Sequence, residues 1–220
     1  MEAEAARPPS GVQHHTRIEP YSAIGERIQV MGNSGSGKST LAARLATALD
    51  APFVELDSLN WLPGWVGLNQ TDPDEFERRI REATRGKRWV AAGSYERFSR
   101  RILWPRLDTV VWLDLPLRIL VWRLLRRSWR RWRSRELVWG TNQERFWPQL
   151  RIWRKHDSLL GWLITQHGRK RRNMAACMSD PRWAHIRFVR LASPRDVEAF
   201  AASVERVRRA FDHGNLEATP

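Results

Sequence analysis

Cysteine is nearly absent from this sequence, and long apolar runs are missing altogether. A single cysteine, Cys177, in 220 residues excludes an internal disulfide and a cysteine-based zinc cluster, and it indicates a reducing compartment. No run approaches the roughly 18 apolar residues that a membrane-spanning helix needs, and the first residues lack the pattern of a secretion signal. We therefore expect a cytoplasmic protein with no membrane partner.

Lysine is also scarce, although the chain is strongly basic. Lys and Arg number 38 against 24 Asp and Glu, a formal net charge of +14, and only four of the 38 are lysine. Sixteen basic residues and three acidic ones lie in the segment 118–172, so the rest of the chain is close to neutral. Such a segment predicts attraction to a polyanion, either the phosphates of a nucleotide or a nucleic acid. The preference for arginine suits bidentate phosphate contacts, although a biased genome composition would produce it too.

The remaining composition is that of a globular protein. Hydrophobic residues make up 42% of the chain and charged residues 28%, which excludes disordered and fibrous proteins. Five short apolar runs predict buried strands, and helical spacing between them indicates a parallel sheet covered on both faces. The predicted strands are residues 28–32, 53–56, 89–92, 109–113 and 186–191, and the main predicted helices are residues 39–49, 72–85 and 196–211.

The strongest motif is a glycine-rich turn between the first predicted strand and the first predicted helix. Its letters, GNSGSGKS, satisfy the pattern G-x-x-x-x-G-K-[ST]. In this pattern backbone N–H groups point at phosphate oxygens, the lysine reaches the β- and γ-phosphates, and the following hydroxyl ligates Mg²⁺. We therefore predict a site for ATP and Mg²⁺, with Lys38 catalytic and Ser39 as the metal ligand. The predicted nucleotide-binding residues of the turn are Gly32, Asn33, Ser34, Gly35, Ser36, Gly37, Lys38, Ser39 and Thr40.

Two features of the sequence favour ATP among the nucleotides. GTP-binding proteins usually read the guanine base with an N-K-x-D motif, and no such tetrapeptide occurs in this chain. The length of 220 residues also fits a small kinase with one sheet better than the larger mechanical ATPases.

Five motifs together resemble one group of small phosphotransferases. They are GNSGSGKSTLA at residues 32–42, LDSLNWLPGW at 56–65, WVAAGSY at 89–95, VVWLDLP at 110–116 and LVWGTNQE at 137–144. The chain resembles the adenylate-kinase-like P-loop phosphotransferases, and most closely the bacterial adenylate-kinase-related proteins known as DNA topology modulation proteins. The resemblance implies a three-layer α/β P-loop NTPase fold, with a five-stranded parallel sheet and an inserted helical lid rich in Arg and Trp.

The resemblance also implies a domain organisation. We expect a flexible N-terminal tail at residues 1–26, a single P-loop kinase-like domain at 27–212 and a C-terminal tail at 213–220. Within the domain, the core is expected at residues 27–117 and 183–212, and the lid at about 118–180.

Two arginines of the expected lid match a feature of this group. In adenylate-kinase-like enzymes, the helix after the fourth strand carries two arginines four residues apart, and Arg123 and Arg127 stand at the matching positions. The resemblance implies that Arg123 packs near the adenine and that Arg127 contacts the transferring phosphates in a catalytic role. Such a pair projects from one helical face, and Arg126, Arg130 and Arg131 are expected to extend the stripe. The alternative is a solvated basic face.

Asp57 ends the second predicted strand, where related small kinases place an acid facing the acceptor. Its carboxylate is predicted to accept a proton from an acceptor hydroxyl or to hold a Mg²⁺-bound water. The alternative is an Asp that caps the following turn. Trp61 and Trp65, a few residues later, either stack on an acceptor base or roof the core of the acceptor lobe.

The chain departs from the group at the position that organises the magnesium water shell. Members of the group carry an Asp-Gly pair after the third strand, whereas this chain has Ala92 followed by Gly93. Magnesium binding and turnover are then weakened unless Asp57 or Asp114 supplies the oxygen. Asp114 has an alternative role as the N-cap of the next helix. The residue pattern of an AMP site is also missing at 57–67, which leaves the acceptor open.

Two functions follow from these observations. The first is an ATP-dependent phosphotransferase of the nucleoside-monophosphate-kinase type, which moves the γ-phosphate of ATP to a small-molecule acceptor. The alternative is a nucleotide-dependent nucleic-acid-binding protein that uses the basic segment 118–172. Eight of the 13 Trp residues lie between residues 110 and 164, interleaved with Arg, and this pattern suits single-stranded nucleic acid. A helical lobe with Trp packed inward and Arg outward gives the same pattern.

Overall fold

The chain folds around a central sheet flanked by helices. The computed structural model describes residues 24–135, 137–143 and 158–216. In chain order, the elements are β1 (Arg27–Gly32), α1 (Lys38–Leu49), β2 (Phe53–Glu55), α2 (Leu56–Asn60), β3 (Trp61–Leu62), β4 (Val66–Gly67), α3 (Leu68–Thr71), α4 (Pro73–Ala83), β5 (Trp89–Ala92), α5 (Glu96–Phe98), β6 (Thr109–Leu113), α6 (Leu117–Ser134), β7 (Leu137–Val138), β8 (Asn142–Gln143), α7 (Leu159–Met178), β9 (Arg187–Leu191) and α8 (Pro194–Leu216).

The sheet has five strands in the order β2-β5-β1-β6-β9, and every pairing in it is parallel. Strands β5 and β6 are buried along their whole length, as expected for apolar runs covered on both faces. The five predicted strands and the α/β fold class with a five-stranded parallel sheet are therefore confirmed. Because β1 is the central strand, the glycine-rich turn that follows it leaves from the middle of the sheet.

Two hydrophobic clusters cover the two faces of the sheet. On one face Leu41 and Leu45 of α1 pack with Ile28 and Val30 of β1 and with Phe200 of α8. On the other face the cluster contains the large buried side chains of Phe76, Trp89, Trp104 and Leu103. Fully burying one such side chain contributes about 1.5–3 kcal/mol, so these two layers hold the sheet rigid beneath the glycine-rich turn.

A third, smaller cluster joins the two long helices of the expected lid. Leu120 and Leu124 of α6 pack against Leu160 and Leu163 of α7, and all four are buried. Among the described residues, no helix has the length and apolar character to cross a membrane.

The structure differs from the sequence-based prediction at element boundaries. Ile24, assigned to the N-terminal tail, is buried in the cluster below α1, so the packed chain begins before Arg27. Helix α4 ends at Ala83 rather than Arg85, and α8 continues to Leu216. The expected lid contains an antiparallel hairpin, β7–β8, although no strand was predicted there. Residues 1–23, 144–157 and 217–220 of the predicted tails and lid lie outside the described residues.

Candidate active site

The glycine-rich turn, residues 32–39, forms a closed loop at the carboxyl end of β1. Gly35 and Gly37 have φ of 80° and 89°, the left-handed region that favours glycine. A side chain at Gly35 would also meet the Leu120 carbonyl oxygen at 2.9 Å. The Ser94 hydroxyl accepts a hydrogen bond from the Gly32 amide (3.0 Å) and donates one to the Gly32 carbonyl (2.9 Å), which ties the loop to the end of β5. The loop therefore has the tight curvature that a phosphate-binding turn needs.

Lys38, at the start of α1, faces Asp57, the acid that follows β2 in the sequence. Its Nζ lies 3.4 Å from Asp57 Oδ2, and both side chains are largely buried. The Tyr95 hydroxyl donates to the other carboxylate oxygen, Oδ1, at 2.8 Å. Burial and then the negative charge of Asp57 raise the pKa of Tyr95, so the hydroxyl stays protonated and keeps donating. Asp57 is thereby oriented toward the phosphate loop.

Glu55, a residue that the sequence analysis did not single out, lies beside the predicted magnesium ligand. The Ser39 hydroxyl donates to Glu55 Oε1 at 3.1 Å. Glu55 is the last residue of β2 and pairs in register with Ala92 of β5. Burial raises the pKa of the Glu55 carboxyl, while the hydrogen bond from Ser39 opposes that rise. A carboxylate thus lies on the strand adjacent to position 92, opposite Ala92 in the sheet. The signal for it in the sequence was an acid within an apolar strand.

Asp114 does not take the role of supplying an oxygen for magnesium. Its side chain is almost completely buried, Oδ1 pairs with Arg171 at 2.9 Å, and Oδ2 pairs with Arg190 at 2.6 Å. Two guanidinium groups thus occupy both carboxylate oxygens. Within the described part of the chain, no cluster of three His, Cys, Asp or Glu residues forms a separate metal site. The oxygen atoms beside the loop belong to the Ser39 hydroxyl, to Glu55 at the end of β2 and to Asp57, which lies in the first turn of α2 rather than at the end of a strand.

The paired arginines of α6 both contact the loop. Arg123 Nη1 donates to the Ser36 carbonyl oxygen at 3.3 Å. One turn later, Arg127 Nη2 donates to the Ser34 hydroxyl at 3.2 Å. Arg126, which was expected on the same stripe, instead stacks on the exposed ring of Trp122, with its guanidinium carbon 5.2 Å from the ring centre.

The remaining predicted nucleotide ligands occupy different environments. Thr40 lies in the first turn of α1 and is exposed. Asn33 is buried, and its side-chain amide nitrogen lies 3.1 Å from His167 Nδ1 on α7. Burial, reinforced by the charge of Arg171, lowers the pKa of His167. His167 lies more than a hundred residues from the loop in the sequence, and α7 brings it into contact with Asn33.

The two tryptophans after α2 form part of a contact between the hairpin β3–β4 and the hairpin β7–β8, which lies in the expected lid. Trp61 packs edge-on against Trp65 at 5.6 Å, and Trp65 packs against Trp139 at 5.9 Å. Asn142 of the lid hairpin accepts from the Trp65 amide at 2.8 Å and donates to the Leu62 carbonyl at 3.1 Å. These contacts join the two hairpins to each other.

No family model matches this chain, and no curated protein matches its sequence at a significant level. Solved structures similar to it include a gluconokinase from Sinorhizobium meliloti, with 20% identity, 87% of this chain and 98% of that chain covered, and a TM-score of 0.47. A shikimate kinase from Acinetobacter baumannii in complex with shikimate shows 18% identity over 90% of this chain and 98% of that chain, with a TM-score of 0.45. A sugar kinase from a Janibacter species shows 19% identity over 89% of this chain and 99% of that chain, also with a TM-score of 0.45.

Proposed function

We propose that this chain is an ATP- and Mg²⁺-dependent phosphotransferase that moves the γ-phosphate of ATP to a hydroxyl group of a small acceptor. One observation carries the proposal. The phosphate-loop lysine, the loop hydroxyl and two carboxylates meet at the carboxyl edge of the sheet, with Lys38 3.4 Å from Asp57 and Ser39 3.1 Å from Glu55. A glycine-rich turn that bound nothing would need none of these side chains.

The phosphate loop and the lid arginines would bind the triphosphate. The loop amides and Lys38 provide N–H donors for the β- and γ-phosphates. Arg123 and Arg127 already contact the loop through Ser36 and Ser34, so their remaining N–H groups are close to where the phosphates bind. Guanidinium groups fixed in this way stabilise the negative charge that spreads over the transferring phosphoryl group.

The oxygen ligands beside the loop fit magnesium. Mg²⁺ prefers oxygen ligands and retains several waters, and a hydroxyl 3.1 Å from a carboxylate provides such a donor set. Ser39 would bind the ion directly, and Glu55 would bind it through water. When bound, the ion neutralises charge on the β- and γ-phosphates.

Asp57 would act as the general base. Tyr95 donates to Oδ1 and Lys38 lies near Oδ2, so the carboxylate is fixed at both oxygens. The acceptor hydroxyl transfers its proton to Asp57, and the acceptor oxygen forms a bond to the γ-phosphorus. The bond from that phosphorus to the β–γ bridging oxygen breaks at the same time, and ADP leaves with the electron pair.

Among small kinases, we favour the group of DNA topology modulation proteins, with a loop and lid of the nucleoside-monophosphate-kinase type and an acceptor that offers a hydroxyl group in place of a phosphate. The support is the sequence resemblance, together with an arginine pair on the helix after the fourth strand that reaches the phosphate loop. The acceptor would bind between Asp57 and the hairpin contact made by Trp61, Trp65 and Trp139.

The test is ADP formation from Mg-ATP, measured with a panel of nucleotides, nucleosides and hydroxylated metabolites as acceptors. We expect one acceptor class to accelerate turnover, and Lys38→Ala to lower that turnover by about 100-fold or more with an unchanged fold. Lys87→Ala, at an exposed position before β5, is the matched control. If Lys38→Ala has the kinetics of the wild type, the role of the loop is wrong.

A further inference from the structure

One turn of helix α7 is fixed to the active site at two points. The Asn33 side-chain amide lies 3.1 Å from His167 Nδ1, which joins the helix to the phosphate loop. The Arg171 guanidinium pairs with Asp114 at 2.9 Å, which joins the same turn to the end of β6. Residues three apart share a helix face. Lys170, three residues after His167, therefore lies on the face of α7 that contacts the phosphate loop.

Lys170 contributes a cation to a pocket beside the phosphate loop. Asn33 and Glu96 are among the other residues that line this pocket. The Lys170 side chain is half-buried, and Nζ lies 4.2 Å from the centre of the Trp162 ring. Within the described ranges, no carboxylate lies within ion-pair distance of this ammonium group. A half-buried cation without an ion pair is costly unless a ligand supplies the negative charge.

The two carboxylates whose charges act on Lys170 already have other partners. Glu96 pairs with Arg100 at 3.2 Å, and Asp57 pairs with Lys38 at 3.4 Å. Burial lowers the pKa of Lys170 to about 8. The negative charge of Glu96 opposes this shift, and the positive charge of Lys38 adds to it. The ammonium therefore has N–H donors that are not committed to a protein carboxylate.

We do not expect the triphosphate of ATP to be the anion that pairs with Lys170. Lys38, Arg123 and Arg127 stand at the phosphate loop and provide cations for ATP. Lys170 lines its pocket together with Glu96, which follows β5, and its charge interacts with those of Lys38 and of Asp57, the proposed base. An anionic group bound by Lys170 would thus belong to the molecule whose hydroxyl is offered to Asp57.

We propose that Lys170 binds a carboxylate or phosphate group of the acceptor, so that the substrate is a small hydroxylated anion rather than a neutral sugar or alcohol. This inference rests on the proposed phosphotransferase activity and specifies its substrate class. One end of the acceptor presents a hydroxyl to Asp57, and the other end is held by the Lys170 ammonium. Lys170 is then a specificity-determining residue, whereas Asp114 positions it through Arg171.

The first test measures anion binding at Lys170 without requiring turnover. The chain has only four lysines, so brief acetylation with N-hydroxysuccinimidyl acetate followed by mass spectrometry resolves each of them. With a Mg²⁺-loaded non-hydrolysable ATP analogue filling the loop, the probes are D-gluconate, D-glycerate and inorganic phosphate. We expect at least one probe to slow acetylation of Lys170 about tenfold at saturation, with Lys87 unchanged. D-Glucitol and glycerol, the neutral counterparts, should give no protection.

The second test compares anionic and neutral acceptors in ADP formation. In the wild type, kcat/KM should favour hydroxylated anions over their neutral counterparts, and Lys170→Met should lower that preference about 10- to 100-fold. Lys170→Arg retains the charge and should restore most of the preference, and Lys87→Met should have no effect. Acceleration by neutral acceptors that Lys170→Met does not change would overturn the inference.

The two proposals fail in different ways. If no anion protects Lys170 while ATP binding still depends on Lys38, the acceptor assignment is wrong and the phosphotransferase proposal stands. If Lys38→Ala leaves both ATP binding and turnover unchanged, the phosphotransferase proposal itself is wrong, whatever the labelling of Lys170 shows.

Discussion

The two sides of the candidate site are built in different ways. The proposed nucleotide side is one continuous turn, residues 32–39, between a strand and a helix, and the arginines of α6 contact it from elsewhere in the chain. The proposed acceptor side is assembled from distant segments: Asp57 just after β2, Tyr95 after β5, and Lys170 on α7. A site made from one continuous segment can be recognised as a motif, whereas an assembled site depends on sheet register and helix packing.

The largest expected effect concerns the base on the acceptor side. Asp57→Asn keeps the shape and the hydrogen bond from Tyr95 but removes the proton acceptor. We expect turnover to fall by about 10²- to 10⁴-fold while the affinity for ATP stays near that of the wild type, because general-base catalysis contributes that much. Stopped-time assays of ADP formation and titration calorimetry with ATP measure the two quantities. Asp74→Asn, at an exposed position in α4, is the control. A loss of ATP affinity without a loss of turnover would move Asp57 to the nucleotide side.

A second prediction tests whether Glu55 replaces the carboxylate missing at Ala92. Glu55→Ala removes the acid beside Ser39 and should raise the Mg²⁺ concentration needed for half-maximal turnover by about 10- to 100-fold, as for residues that orient metal ligands. Because Glu55 and Ala92 are register partners, Ala92→Asp on the Glu55→Ala background should recover part of the loss.

The control for this pair is Ala92→Asp alone, which should change the Mg²⁺ requirement little. If the double variant needs as much Mg²⁺ as Glu55→Ala, an acid at position 92 cannot replace the acid at position 55. If Glu55→Ala has no effect on the Mg²⁺ requirement, Glu55 has a structural role only.

The smallest expected effect comes from comparing two faces of α6. The inner face carries Arg123 and contacts the phosphate loop, and the outer face carries Arg126. Arg123→Ala removes a guanidinium beside the loop and should weaken ATP binding about tenfold, the value of one charge-assisted hydrogen bond. Arg126→Ala, three residues later, removes only the group stacked on the exposed Trp122 and should leave ATP binding unchanged. If the two variants weaken ATP binding equally, the inner face of α6 has no special role in binding the nucleotide.

The same pair of variants tests nucleic-acid binding by the segment 118–172, which stays a prediction. If the outer face binds single strands, Arg126→Ala and Trp122→Ala should weaken binding of a single-stranded oligonucleotide more than Arg123→Ala does. Such binding should also fall steeply with salt, because counterion release dominates it. Absent or salt-insensitive binding would remove this alternative.

Much of the fold follows from the sequence, because buried parallel strands are continuous apolar runs that need no knowledge of their neighbours. The hairpin β7–β8 was missed because strands of two residues have no measurable periodicity. In the site, the phosphate loop was recognisable, and Asp57 was identified from its position after a strand.

Glu55, His167 and Lys170 were not singled out, and each for a physical reason. Glu55 becomes relevant only through its register with Ala92, and the other two reach the loop only because α7 folds back onto the sheet edge. The ion pairs of Asp114 with Arg171 and Arg190 also depend on that packing, so the sequence left open whether Asp114 supplies an oxygen for magnesium.

The most direct test of the central claim is a crystal structure with Mg²⁺ and a non-hydrolysable ATP analogue. We predict the triphosphate in the loop 32–39, Mg²⁺ on the Ser39 hydroxyl with Glu55 in its water shell, and Asp57 beside the γ-phosphate on the side away from ADP. A nucleotide bound outside the loop, or Glu55 and Asp57 both turned away from the γ-phosphate, would contradict the claim that these two carboxylates make the loop a phosphotransfer site.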